Sequence, residues 1–265
     1  MRRVQLFEFH DLTWFPDGWR GMLTDLLSFF TLTVRPFDPV IPKLKDVLEK
    51  LNCRTIVDLC SGSSGPWLHI QRELEEEEAY PVRVILTDAF PNLAAFRRAA
   101  LLSKGRLSFV EKPVNATNVP ACLTGFRTLF VAFHHFQPTI AKQILIDAVS
   151  KNQGIGVFEY TERSLGWLLP SLLAPFLVWA MTPFVKPTTL SRLFWTYLLP
   201  VIPLLLFWDG IVSNLRTYSP AELKELTLDV QRDGYRWEIG KIPTGSCKIT
   251  YLLGYPMGES GPLVQ

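Results

Sequence analysis

Thr55-Ile56-Val57-Asp58-Leu59-Cys60-Ser61-Gly62-Ser63-Ser64-Gly65-Pro66 is an apolar run interrupted by one aspartate, then a turn carrying two glycines, then a segment of helical spacing from Trp67 to Glu77. The apolar run has the length and β-branched content of a strand. Glycine serves where a backbone turns tightly and a ligand must approach without a Cβ in the way, and the first turn of the next helix offers unpaired N–H groups. The stretch therefore reads as strand, ligand-cradling loop and helix. No Gly-Lys-Ser/Thr follows, so it is not a P-loop, and the full G-x-G-x-x-G dinucleotide fingerprint is missing. Asp58 inside the strand departs further from a dinucleotide site, where apolar residues are the rule.

Outward from this loop the same alternation continues. Val82 to Thr87, Leu107 to Val110, Thr128 to Phe133 and Ile155 to Tyr160 read as strands, and Leu93 to Ser103 and Thr139 to Lys151 as helices. Near-continuous apolar strands separated by helices imply a parallel sheet covered on both faces, which binds ligands at the carboxyl ends of its strands. Asp88 stands at such an end, where a carboxylate can accept both ribose hydroxyl protons; its alternative is to cap a helix starting near Pro91. Before the first strand, Trp19 to Thr31 and Pro42 to Leu51 look helical. After the fifth, Ser219-Pro220-Ala221-Glu222 gives an N-cap, a proline at the first helical position and a glutamate at the third. Tyr235 to Ile242 and Lys248 to Tyr255 close the chain as a strand pair.

Composition excludes several classes. The net charge of +2 without a basic cluster argues against nucleic acid as a partner. Cys53, Cys60, Cys122 and Cys247 have no CxxC or metal-ligand spacing, which fits a reduced cytoplasm. Glu8, His10 and Asp11 interrupt the N-terminal apolar residues before a signal peptide could form.

The stretch from Thr55 to Tyr160 resembles the class I S-adenosylmethionine-dependent methyltransferases. That resemblance implies an α/β fold with a doubly wound, Rossmann-like sheet, its core over 53–163 and 213–265; the residues themselves read as an N-terminal helical cap over 1–52, with plain core packing as the alternative, and an apolar helical insertion over 164–212 before the last two strands. The resemblance implies S-adenosylmethionine as cofactor, with Asp58, Cys60, Gly62 and Gly65 around its methionine portion, Asp88 on the ribose hydroxyls and Phe90 packed on the adenine. Where family members have an Asp-Ala pair after the third strand this chain has Asn115-Ala116, whose amide oxygen can accept the same hydrogen bond without the charge. The whole chain also resembles a bacterial group within that family through Trp14-Phe15-Pro16, Phe133-His134-His135-Phe136, Trp208-Asp209-Gly210 and Arg216-Thr217-Tyr218-Ser219. This second resemblance implies fold and cofactor, with no acceptor attached.

Candidate catalytic groups follow the fourth and fifth strands. His134 and His135 fall at the mouth where cofactor and acceptor meet, and an imidazole titrates near neutrality, so either could take a proton during methyl transfer, His135 ahead. Packing is the alternative for both. Glu159 ends the fifth strand with Arg163 close behind; together they bind a polar head or form an internal ion pair. Asp209 interrupts an apolar run, so it either meets Arg216 or faces the reaction pocket. His10 and His69 have no such placement, and no metal site is expected.

Hydrophobic residues make up 48% of the chain, and the excess collects between Leu165 and Val212. Ser164 to Val185 could span a bilayer by length, but Pro170, Pro175 and Pro183 break it; Leu193 to Trp208 falls short of the roughly 20 residues a spanning helix needs. Trp167, Trp179, Trp195, Tyr197 and Trp208 are amphipathic anchors of the headgroup kind. The expectation is a peripheral or monotopic element at the inner face of the membrane, with a hydrophobic small-molecule acceptor taken from the bilayer. A helical lid making a dry pocket is the alternative. A non-catalytic membrane-associated binding protein with this fold is the second functional reading, and a nicotinamide-dependent oxidoreductase the third.

Overall fold

The computed structural model describes residues 2–164, 166–167, 171–245 and 247–257. Pro170, and residues 258–265 of the expected core segment, lie outside the described residues.

Five short apolar strands pair in parallel: β1 (Thr55–Asp58), β2 (Arg83–Leu86), β3 (Leu107–Phe109), β4 (Phe126–Phe130) and β5 (Ile155–Glu159). The long hairpin β6 (Tyr235–Thr244) and β7 (Cys247–Pro256) completes the sheet, with β7 running antiparallel against both β5 and β6. The order β3-β2-β1-β4-β5-β7-β6 is the expected doubly wound, Rossmann-like methyltransferase sheet. A dinucleotide-binding sheet runs 3-2-1-4-5-6 without a reversed strand. The chain reverses direction in strand order between β1 and β4, and the cleft outside their carboxyl ends is where such sheets bind ligands.

Every residue of β4 and β5 is buried, as central parallel strands require. The fourth strand was expected over Thr128 to Phe133 and instead covers Phe126–Phe130. Val131 takes φ +51°, which ends the ladder, and Phe133–His135 form a tight 3-10 turn. This turn brings both histidines to the strand's mouth.

One face of the sheet is covered by α2 (Ile41–Lys50), α3 (Trp67–Glu76) and α4 (Leu93–Leu102), which bury Leu44, Leu48, Trp67, Ile70, Leu74 and Phe96 against Ile56 and Val84. The other is covered by α5 (Pro138–Ser150), with Ile144, Leu145 and Ala148 against Val57, Leu129 and Val157. Arg127 of β4 pairs with Asp147 of α5 at 2.7 Å beneath this face. The apolar insertion folds as α6 (Ala174–Met181), a single turn α7 (Leu190–Leu193) running into a π-turn at Phe194–Leu198, and α8 (Val201–Arg216). The last helix, α9 (Pro220–Leu228), starts with the expected capping box: the Ser219 Oγ accepts from the Glu222 N–H and the Glu222 carboxylate from the Ser219 N–H.

A third core joins the N-terminal helix α1 (Asp17–Val34) to the insertion. Leu23 and Leu26 of α1 pack with Val178, Val185, Ile202 and Leu205. Arg192, which lies between the apolar runs, is buried and pairs with Asp25 of α1. Phe176, Phe184, Leu190 and Leu198 remain more than half exposed. Among the described residues no single helix is long and apolar enough to cross a membrane, and the two segments Leu190–Leu198 and Val201–Arg216 meet at a 74° bend.

Candidate functional site

A cavity of about 870 Å³ opens at the carboxyl ends of β1, β2 and β4. Its floor is the glycine loop, which turns through positive φ at Cys60, Gly62, Ser64 and Gly65. Gly65 lines the space, and a Cβ added there would meet no protein atom within 4 Å, so the open room above it is a cradle that any side chain would fill. A Cβ on Gly62 would press on Thr24 of α1.

The α1 helix roofs the loop. Ser63 Oγ donates to Asp25 at 2.8 Å, accepts from the Asn92 amide at 2.9 Å and lies 2.9 Å from the Thr24 hydroxyl, which uses its full hydrogen-bonding capacity. Ser28 donates to the Gly65 carbonyl. Since Asp25 also holds Arg192, one carboxylate joins the loop, the roof and the insertion.

Asp88 lies at the edge of the cavity and accepts from the Gly62 and Phe90 N–H groups, each at 2.8 Å. Two of its roughly four lone-pair directions are thereby used and two remain. The helix cap considered as its alternative role belongs to Asn92, which accepts from Ala95 N. Phe90 lines the cavity, partly exposed, with the Arg20 guanidinium 4.1 Å from its ring centre. Cys60 lines it too, and burial pushes its thiol well above the ordinary range. Asp58 does not line the cavity. It sits below the loop, almost fully buried, accepting from the Thr128 hydroxyl at 2.7 Å, and burial pushes its carboxyl up to about 7. Asn115 and Ala116 also lie outside the lining; Asn115 Oδ1 turns back to accept from the Thr117 N–H and hydroxyl, each at 2.9 Å.

Opposite the loop, Phe37, Phe130, Phe136 and Tyr160 form an aromatic wall, and His135 and Asp11 form its polar edge. Here the structure adds residues that the sequence had not marked. The N-terminal segment folds back across the end of the sheet: Val4 N–H donates to the Leu215 carbonyl, Trp208 donates to the Phe7 carbonyl, and Phe9 N–H donates to Asp209. Glu8 is thereby buried completely between His134 and His135. His10, expected to lie elsewhere, lines the cavity with its ring centre 4.7 Å from that of His135 and its Nδ1 2.9 Å from Asp209. Asp209 meets neither Arg216 nor the cavity. Arg216 pairs with Glu8 at 3.1 Å and Asp11 at 2.8 Å. His69, by contrast, is buried on α3 against Asp38.

His134 is held from beneath: its Nδ1 is 2.9 Å from Glu159, whose other oxygen accepts from the His134 N–H. Burial pushes the Glu159 carboxyl up, but the adjacent His134 outweighs it and leaves the group below its ordinary value. Arg163 pairs with Glu222, so Glu159 and Arg163 do not meet as one ion pair. Burial lowers His135, yet Asp11 at 3.0 Å and Glu8 at 3.5 Å outweigh that and raise it to about 9. Asp11 is held well below the usual carboxylate range: burial opposes this, and His135, His10 and Arg216 prevail.

No family model and no curated protein matches the sequence. Solved structures resemble it in fold. An O-methyltransferase family protein from Burkholderia thailandensis shares 14% identity over 85% of this chain and 57% of its own, with a TM-score of 0.49. The magnesium protoporphyrin IX methyltransferase of Synechocystis PCC 6803, solved with bound SAH, shares 10% over 81% of each chain, at 0.46. A protein from Rhodobacter sphaeroides described as a putative Zn-dependent alcohol dehydrogenase shares 13% over 91% of this chain and 98% of its own, at 0.52. The chain spans 57% and 59% of the first two O-methyltransferase neighbours. At such identities the likeness concerns the fold, and the strand order is that of the class I methyltransferases.

Proposed function

We propose that the protein transfers the methyl group of S-adenosylmethionine to an oxygen, nitrogen or carbon atom of a hydrophobic acceptor drawn from a membrane surface. One observation carries this: the cavity at the switch point of a methyltransferase-type sheet has a glycine cradle and a ribose-competent carboxylate on one side, and an aromatic wall with an imidazole on the other. A space of about 870 Å³ lies toward the upper end of small-molecule sites, which suits a nucleotide-sized cofactor and a second ligand together.

The residues present fit the cofactor. The free lone pairs of Asp88 would take the ribose hydroxyls, Phe90 the adenine face, and the open space over Gly65 the methionine portion, while Asp58, buried beneath the loop, would hold the loop rather than touch the cofactor. The sulfonium supplies an activated methyl, so the protein's part is positioning and, for some acceptors, proton removal. His135 is the group of the mouth that reaches the cavity; His134, Glu159 and Asp209 support it and the segment beside it from outside the lining. The exposed apolar side chains of α6 and the π-turn are neighbours, since Trp179 donates to the Thr196 carbonyl and Tyr197 to the Trp179 carbonyl. A face of this kind favours a peripheral or monotopic position at the inner membrane surface.

Incubating the purified chain with methyl-labelled S-adenosylmethionine and a total lipid extract tests the proposal. Label should enter a lipid-soluble product detected by mass spectrometry. Transfer to water-soluble compounds alone would contradict the acceptor, and no transfer to any extract would contradict the reaction.

A further inference from the structure

The contacts around Glu8 have a spacing that hydrogen bonds do not explain. His134 Nε2 lies 3.7 Å from one Glu8 oxygen and His135 Nδ1 lies 3.5 Å from the other. Hydrogen-bonded pairs of this type close to about 2.7–3.2 Å. Bonds of about 2.0–2.2 Å arranged tetrahedrally around one ion place its ligand atoms roughly 3.3–3.6 Å apart. One donor atom from each of Glu8, His134 and His135 falls within 4.8 Å of the others.

The side chains behind these atoms point the same way. Only 1% of His134 is exposed, and its Nε2 has no hydrogen-bond partner. Its Nδ1 faces Glu159, so the N–H belongs on that side and the lone pair on Nε2. A lone pair aimed at a buried carboxylate is repelled unless a proton or a metal cation stands between them, and 3.7 Å is too long for the N–H···O bond a proton would make. A carboxylate that fixes the far nitrogen of a histidine is also the usual support for a metal-ligating imidazole. His135 Nδ1 likewise makes no aligned hydrogen bond, and Asp11, 3.0 Å from it, offers a further oxygen on the cavity side. Each Glu8 oxygen is engaged once from outside the group, by Arg216 and by Ser213, which leaves each a lone pair for an ion.

We propose that Glu8, His134 and His135 form a binding site for one divalent metal ion, with two imidazoles and a carboxylate suited to zinc and a fourth position left for water or an added ligand. Such a ligand set, with an open position, is that of catalytic rather than structural zinc sites. The proposal does not depend on methyl transfer, since it is read from the ion itself.

The full chain, stripped with chelator, is titrated with Co²⁺ and followed by absorption. The expected result is one equivalent bound, with the intense visible bands of a four-coordinate ion, no thiolate charge-transfer band, and displacement by one equivalent of Zn²⁺. His134→Gln should weaken binding by more than 100-fold, beyond the about 10–100-fold expected of Glu159→Gln, which removes only the support. His69→Gln, an equally buried histidine on α3, should change nothing. If His134→Gln loses the native circular dichroism, His135→Gln, at a less buried position, takes its place. A spectrum like that of the hydrated ion, thiolate bands, preference for Mg²⁺ over Zn²⁺, or binding that survives His135→Gln would each overturn the proposal.

Discussion

Asp58 and Asp88 both stand near the ends of parallel strands, yet their surroundings give them different tasks. Asp88 is ordered by two backbone N–H groups and faces the cavity. Asp88→Asn keeps an acceptor and loses the charge, so S-adenosylmethionine affinity should fall roughly 10- to 100-fold, the worth of a charge-assisted hydrogen bond, as read by calorimetric titration. Asp58 is the buried one. Its folded-state value of about 7 lies above the ordinary 3.8, so the stability its neutral carboxyl contributes is fully present below that ordinary value and is lost as pH rises through about 7. Asp58→Asn, which cannot ionise and can still accept from Thr128, should gain on the parent chain between pH 5 and pH 8 by roughly 2–3 kcal/mol in denaturant unfolding. An unchanged difference across that range would exclude the burial effect. His135→Ala should lower turnover far more than cofactor affinity if its imidazole serves the acceptor; equal activity would remove it from that role. Asp88 and the His134-His135 pair were legible in the sequence because each lies directly after a strand. Glu8, His10 and Asp11 were not, because they reach the site through contacts with Asp209 and Arg216 some two hundred residues along the chain, which no local pattern announces.

Elements were legible wherever periodicity alone decides them. The parallel strands, α3 to α5 and the capped α9 appear within a few residues of expectation because each buries a regular apolar face or carries its own start signal. The end of β4 was not legible, since a valine at φ +51° has no sequence signature. Nor was the path of the insertion, whose prolines forecast breaks without saying where each piece packs. The structure shows one side of it against α1 and the other open. If the open side meets lipid, Phe176→Ser with Leu198→Ser should reduce co-sedimentation with anionic vesicles and leave the thermal midpoint nearly unchanged, because both side chains are more than 60% exposed. Undiminished sedimentation would favour a lid over a membrane element. In the glycine loop, Gly65→Val would combine a backbone strained at φ +48° with a side chain projecting into the cavity, and should abolish cofactor binding while the sheet persists.

At the scale of the molecule, the seven-stranded order with a reversed β7 places the loop, Asp88 and the 3-10 turn bearing the histidines around one opening. The alternation of strands and helices and the closing strand pair were legible in the sequence, because parallel strands need crossover helices and an antiparallel partner needs only a hairpin; the order itself was not. Nor did the sequence supply closure: the roof of α1 over the loop, and the N-terminal segment drawn onto the opposite rim by Arg216 and Asp209. These turn the carboxyl end of the sheet into a walled cavity. The central claim is that this site takes S-adenosylmethionine, and calorimetric titration of the purified, natively folded chain tests it most directly. Saturable 1:1 binding in the micromolar range, weakened by Asp88→Asn, is the predicted result, and no binding heat at high micromolar cofactor from protein with native circular dichroism would contradict it.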